Sequence, residues 1–152
     1  MAKVVIYRGD IDLSLKTDGE TTYCYQIGVG KIVGDGLINI NNSESLDEIT
    51  LSIRDNYVEW IYSLNSLFIK NNLIKDGMSL FFLSDLSNKR SELFDTYESL
   101  ANILLIQKKL RDVDIDVFEL IGLDRAFTRA IKSLYPKVII KCSRARPLRI
   151  SV

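Results

Sequence analysis

DIDVFELIGLDRAFTRAIKSLYPKVIIKC, residues 114–142, reads as a strand, a helix and a second strand in succession. DIDVFELIG is a β-rich apolar run. Asp124 stands where a helix N-cap is expected, with Arg125 directly behind it, and DRAFTRAIKSLY continues as a short helix. Pro136 closes that helix because it cannot supply the next backbone N–H. KVIIKC then gives the second strand. Two strands joined by one helix with short connections predict a parallel pair with the helix packed on it.

Working upstream, MSLFFLS (Met78–Ser84) is a continuous apolar run, and its lack of alternation reads as a buried strand. A helix is expected from Ser87 or Ser91 to Arg111. Leu93, Tyr97, Leu100, Ala101, Leu104 and Leu105 keep helical spacing, and Lys108, Lys109 and Arg111 suit its C-terminal dipole. A longer helix is expected over about 46–74, with Ser45 or Asp47 as cap. Its apolar stripe is Leu46, Ile49, Ile53, Tyr57, Trp60, Ile61, Leu64 and Phe68, so Tyr57, Trp60 and Phe68 are expected in the core. Asn71-Asn72 and Asp76-Gly77 mark its end. From residue 78 onward the order is thus β-α-β-α-β. The expected fold class is α/β, a Rossmann-like parallel sheet with helices on its faces.

The first 44 residues give less regular signals. KVVIY is a strand ending in the turn Arg8-Gly9-Asp10, DIDLSL alternates like an edge strand, and KTDGE is a loop. Gly28, Gly30 and Gly34 spell G-x-G-x-x-x-G, one residue away from the dinucleotide fingerprint. That fingerprint needs a helix directly after it. None begins before about residue 46, so the segment reads as a glycine-rich turn or hairpin, and no dinucleotide or other cofactor is expected. The N-terminal segment is therefore irregular and β-rich. The expected organisation is one domain over 1–152: a β-rich segment to 44, the α/β unit over 45–142 and a basic tail over 143–152.

Totals exclude several chemistries. The 152 residues carry 20 basic and 20 acidic side chains and no histidine. Without histidine there is no Ser-His-Asp or Cys-His catalysis and no histidine-based zinc site within the chain. Cys24 and Cys142 stand far apart, which suits two free thiols in a reducing cytoplasm, and no metal site is expected. Met1–Asp10 is too polar for a signal peptide, and no window approaches the roughly 20 apolar residues of a membrane span. The expected location is cytoplasmic. From Lys137 to Val152 five Lys or Arg stand with no acid. No aromatic residue interleaves with these bases, so no nucleic-acid partner is expected.

Open parallel sheets bind ligands beyond the carboxyl ends of their strands. Three loops qualify on this reading: 84–91, 121–125 and 142 onward. The first gathers Ser84, Asp85, Ser87, Asn88, Lys89, Arg90 and Ser91 before a helix, a setting that suits a phosphate or carboxylate. The same serines can equally serve only as helix caps, with the bases solvated. After the first strand, Asp10 and Asp12 can orient a sugar hydroxyl or a metal, or simply stand in a turn, and Arg8-Gly9 can contact a phosphate. Lys141, Arg144, Arg146 and Arg149 either cradle a phosphate or form a frayed end.

YVEWIYSLNSLF (57–68), MSLFFLSDLSNKRSELFDTYESL (78–100) and KVIIKC (137–142) resemble the N-terminal half of bacterial surface-carbohydrate biosynthesis proteins. These are glycosyltransferase-like proteins of the two-Rossmann-domain (GT-B) kind that build O-antigen or capsule. The resemblance covers just over half the chain. It implies an acceptor-side domain that binds a sugar or sugar-phosphate through Ser84, Asp85, Ser87, Lys89 and Arg90. Inverting transfer needs a group to take the acceptor's proton, and without histidine Asp10 is the candidate base. In that architecture the sugar-nucleotide is held mostly by a second, C-terminal domain. The expectation is therefore an incomplete enzyme that works with a C-terminal or separate donor-binding domain. The alternative is a non-catalytic Rossmann-like module that binds a ligand or partner.

Overall fold

The structure is a computed structural model of the chain and describes residues 2–17, 19–83 and 91–144. It divides into two compact units, Met1–Asn42 with Ile106–Val152, and Ser43–Leu105.

The first unit is built on five parallel strands: β1 (Ala2–Arg8), β3 (Thr21–Ile27), β5 (Leu37–Asn39), β8 (Val117–Ile121) and β9 (Ile139–Ser143). Their order across the sheet is β5-β3-β1-β8-β9. Numbered within the sheet alone this is 3-2-1-4-5, the order of the doubly wound dinucleotide-binding folds. The Rossmann-like α/β class is therefore present. The central strand β1 is the N-terminal run KVVIY, whose Val4, Val5, Ile6 and Tyr7 are all buried, as expected for a strand covered on both faces.

The connections differ from the usual plan. No helix follows β1 or β3. Instead two short strands, β2 (Leu13–Ser14) and β4 (Ile32–Val33), pair in parallel with each other. Leu13, Leu15 and Ile32 from this ribbon pack on Val5, Tyr7 and Ile121, doing the covering that a crossover helix usually does. The first third of the chain thus supplies three of the five sheet strands. It also repeats itself: Ala2 lies beside Thr21 and Leu13 beside Ile32, the same nineteen-residue offset. Stacked turns force glycine at the contact. A Cβ on Gly30 would lie 2.5 Å from the Ile11 carbonyl oxygen and 2.7 Å from that of Gly9, and one on Gly34 would lie 2.5 Å from that of Leu15. The glycine run is thus a backbone-packing device with no helix after it.

The link between β8 and β9 is α3 (Arg125–Leu134), whose Phe127 and Ile131 are buried. The Phe118 and Tyr135 rings meet at 4.9 Å where the helix ends. This part of the chain follows the sequence reading closely.

In the second unit, α1 (Ser43–Lys70) ends as its asparagines predicted. Asn72 takes φ 58°, its N–H reaches the Ile69 carbonyl, and Leu73 N–H reaches that of Phe68. These are the two bonds of a Schellman cap. The chain then forms a hairpin of β6 (Ile74–Lys75) and β7 (Met78–Ser79), which pair antiparallel. Asp76 and Gly77 between them have φ 51° and 77°, as a two-residue turn of the primed type requires. A 3-10 turn over Leu80–Leu83 follows.

Residues 78–83 are therefore not a strand of the parallel sheet. The turn folds Met78 and Ser79 back on β6, and the 3-10 turn buries Phe81 against Phe68 at 5.8 Å while exposing Phe82. Helix α2 (Ser91–Lys109) begins at one of the two expected caps. Within this unit the Tyr97 hydroxyl donates to the Thr50 carbonyl, and the Tyr57 and Tyr97 rings stand 5.0 Å apart. Trp60, expected in the core, is half exposed beside Tyr57.

Candidate functional site

Where sheet order reverses, the loops leaving two neighbouring strands diverge and open a crevice. Here the reversal falls between β1 and β8. β1 is followed along one half of the sheet by β3 and β5, and β8 along the other half by β9. Tyr7 pairs with Ile121, so the next residues out are Arg8-Gly9-Asp10 on one side and Gly122-Leu123-Asp124 on the other.

Local packing holds both loops. The Tyr7 ring folds under Gly9, where a Cβ would lie 2.3 Å from the phenolic oxygen, and its hydroxyl donates to the Ile11 carbonyl. Asp12 accepts from the Lys31 N–H at 2.9 Å, so this acid ties the two stacked turns together. Gly122 has φ 72°, a conformation that favours glycine, and its N–H donates to the Ser143 carbonyl at 3.0 Å.

Asp124 uses both of its carboxylate oxygens. Oδ1 accepts from the Phe127 N–H at 2.7 Å and caps α3. Oδ2 faces Arg8 Nη1 at 3.8 Å, an ion pair that crosses the crevice. Asp10, two residues along the chain from Arg8, is exposed.

This arrangement bears on ligand chemistry. The start of a helix is a ready anion seat. In α3 the protein's own carboxylate already fills it, and no helix starts after β1. An incoming phosphate thus gains one guanidinium and meets the Asp124 carboxylate. A polyol fits better, because carboxylates accept from its hydroxyls while a guanidinium donates to others.

The sequence-selected residues divide sharply. Asp10 lies at the crevice. Ser84, Asp85, Ser87, Lys89 and Arg90, with Asn88, lie outside the described residues, as do Arg146, Pro147 and Arg149. Residues 78–83, which lead into 84–91, form the hairpin arm and the 3-10 turn and not the expected parallel strand. Of the other two loops, 121–125 borders the crevice and 142 onward begins at the end of β9, where Lys141 and Arg144 are exposed. Asp124, read from sequence only as a helix cap, also reaches Arg8. The signal for that second role was the placing of β1 beside β8, which local pattern does not carry.

Elsewhere, a groove of about 350 Å³ in the second unit is lined by Ile53, Asn56, Tyr57, Trp60, Thr96 and Leu100. It presents no carboxylate or cation. Among the described residues no cluster of three or more Cys, Asp or Glu could hold a metal ion, and no helix is long and apolar enough to cross a membrane. Compared with family models, curated proteins and solved structures, the chain gives no match.

Proposed function

We propose that this chain is a sugar-binding Rossmann-like domain acting in surface-polysaccharide assembly, with its site in the crevice between the ends of β1 and β8. The observation that carries the reading is the Arg8–Asp124 pair across the reversal of strand order. A guanidinium paired with a carboxylate gives donors and acceptors in the mixture that sugar hydroxyls need, and Asp10, exposed two residues along the chain from Arg8, adds a second carboxylate to the same loop. The resemblance to GT-B surface-carbohydrate proteins supports the ligand class, a sugar or sugar-phosphate acceptor, and Asp10 would then take the acceptor's proton. Binding rather than catalysis is the role assigned to this chain alone. In such enzymes the donor sits mostly in a second domain.

The test is a titration of the protein with free sugars, sugar-1-phosphates and nucleotide sugars, followed by thermal shift and calorimetry. Arg8→Ala should abolish any binding seen, with the melt otherwise retained. Lys89→Ala/Arg90→Ala should leave it intact if the crevice is the site. Loss with Lys89→Ala/Arg90→Ala and retention with Arg8→Ala would move the site to the 84–91 segment. Failure of every sugar ligand would end the reading.

A further inference from the structure

Helix α1 is 28 residues long, yet none of its residues is buried. Long helices in proteins draw most of their stability from packing an apolar face. Thr50, Tyr57 and Phe68 mark the side that meets the rest of the unit, through Tyr97 and Phe81. At 100° per residue, a second line lies about a third of a turn away. It comprises Leu51, Asp55, Val58, Tyr62, Asn65 and Ile69, at alternating spacings of four and three. That spacing keeps one seam along a helix, as in coiled coils. Its four apolar members are largely uncovered: Leu51 63%, Val58 46%, Tyr62 65% and Ile69 50% exposed.

The seam is symmetric about position 60. Leu51 and Ile69, Asp55 and Asn65, and Val58 and Tyr62 are each equally far from it. The charge along the helix has the opposite character. Glu44, Asp47 and Glu48 stand at its start, while Lys70 ends it and Lys75 follows. If two such helices lie antiparallel, each apolar seam residue meets an apolar one, and Asp55, which pairs with Arg54 at 3.0 Å, comes level with Asn65, whose Oδ1 is buried within its own copy. The acidic start of one then runs beside the basic end of the other. A parallel pair would instead set Asp55 against Asp55 and acidic start against acidic start. From Leu51 to Ile69 the seam rises about 27 Å, long enough for several interlocking layers.

We infer that α1 is a self-association surface, pairing antiparallel with α1 of a second copy about a two-fold axis level with residue 60. The occupant of the exposed seam is the same seam, which makes the contact isologous and closed. Glu59 flanks the axis on the rim, so the pairing brings two like charges near each other there.

Light scattering on the full chain should give twice the 17.3 kDa of one copy at micromolar concentration. Val58→Glu/Tyr62→Glu should reduce this to a single copy with unchanged far-UV circular dichroism. Trp60→Ala, on the other side of the helix, should leave the dimer intact, and Glu59→Gln should lower its dissociation constant several-fold. To read the orientation, Val58→Cys/Tyr62→Cys in a Cys142→Ser background should form 58-to-62 crosslinks on oxidation. A single copy at high micromolar concentration, a dimer that survives Val58→Glu/Tyr62→Glu, or crosslinks of 58 to 58 would each overturn the inference.

Discussion

The side-chain amide of Asn41 takes the place of a strand residue beside Gln26. Its Oδ1 accepts from the Gln26 N–H at 2.9 Å and its Nδ2 donates to the Gln26 carbonyl at 2.8 Å. β5 is only three residues long, and the bond from Ile40 N–H to the Cys24 carbonyl is its last backbone contact with β3. Asn41 extends that ladder by one more pair. It thereby holds Gln26, whose own Oε1 accepts from the Ile32 N–H at 3.1 Å and fixes the next turn.

Asn41→Ala should therefore cost about 1 kcal/mol in urea unfolding, the net worth of one or two exposed hydrogen bonds. Asn41→Asp should cost at least as much, because it keeps the acceptor, loses the donor and turns a carboxylate toward the Gln26 carbonyl. If Asn41→Asp is neutral, the amide is not acting as a strand.

Two glycines near one another in sequence should respond very differently to alanine. At Gly30 the added Cβ meets backbone oxygens of Ile11 and Gly9, which cannot move without parting β2 from β4. Overpacking of this kind costs about 1–3 kcal/mol. At Gly19 nothing lies within 4 Å, and only its φ of 81° opposes a side chain. Gly19→Ala should cost about 1 kcal/mol, the strain of a left-handed backbone alone. Equal melting temperatures for the two variants would refute the close approach of the stacked turns.

That contrast also explains what sequence could and could not show. The segment 114–142 was legible because each signal in it is local: the Asp124 cap, the stop at Pro136, and a helix flanked by apolar runs. The stop of α1 at Asn71-Asn72 was legible for the same reason, whereas its start at Ser43 lies ahead of the expected caps Ser45 and Asp47. Residues 78–83 depart from the expected strand because a short apolar run does not distinguish a buried strand from a hairpin arm followed by a 3-10 turn. The deciding signal was Asp76-Gly77 just before it, which set φ positive at two successive residues. The N-terminal third looked irregular because its order comes from parallel pairing nineteen residues apart, and neither partner announces the other. The crevice inherits that difficulty. Asp10 could be suspected from its turn, but Arg8 and Asp124 are more than a hundred residues apart and meet only because β1 lies beside β8.

Alkaline pH should weaken the fold from a definite point. Burial pushes the Cys24 thiol and the Tyr135 phenol above their ordinary values of 9.0 and 10.0. Above pH 9 the unfolded chain therefore gives up protons that the folded chain retains. Folded-state protons in excess make stability fall as pH rises, so the free energy of unfolding should decline through this window. Cys24→Ala should flatten the first part of the decline, whatever it does to the plateau near neutral pH. An unchanged slope in Cys24→Ala would place the effect elsewhere. In the native state at neutral pH a thiol reagent should label Cys142 quickly and Cys24 only on unfolding, since the first is exposed and the second buried.

Asp124 offers a way to separate binding from stability. Its two oxygens serve two purposes, one capping α3 and the other facing Arg8. Asparagine caps helices about as well as aspartate, so Asp124→Asn should keep the bond from Phe127 N–H. The ion pair is long and its carboxylate largely exposed, and such pairs contribute about 1 kcal/mol at most. Asp124→Asn should therefore unfold within about 1 kcal/mol of the wild type, whereas Asp124→Ala should lose about 1–2 kcal/mol through the cap. Binding should follow a different order. Both variants break the Arg8 ion pair and remove a carboxylate from the crevice, so both should weaken sugar binding to a similar extent. Combining either with Arg8→Ala should then add little, because residues acting on one ligand through one contact are not independent. A stable Asp124→Asn protein that binds sugar as tightly as the wild type would show that Asp124 is only a helix cap, and the crevice would lose the residue that holds its arginine.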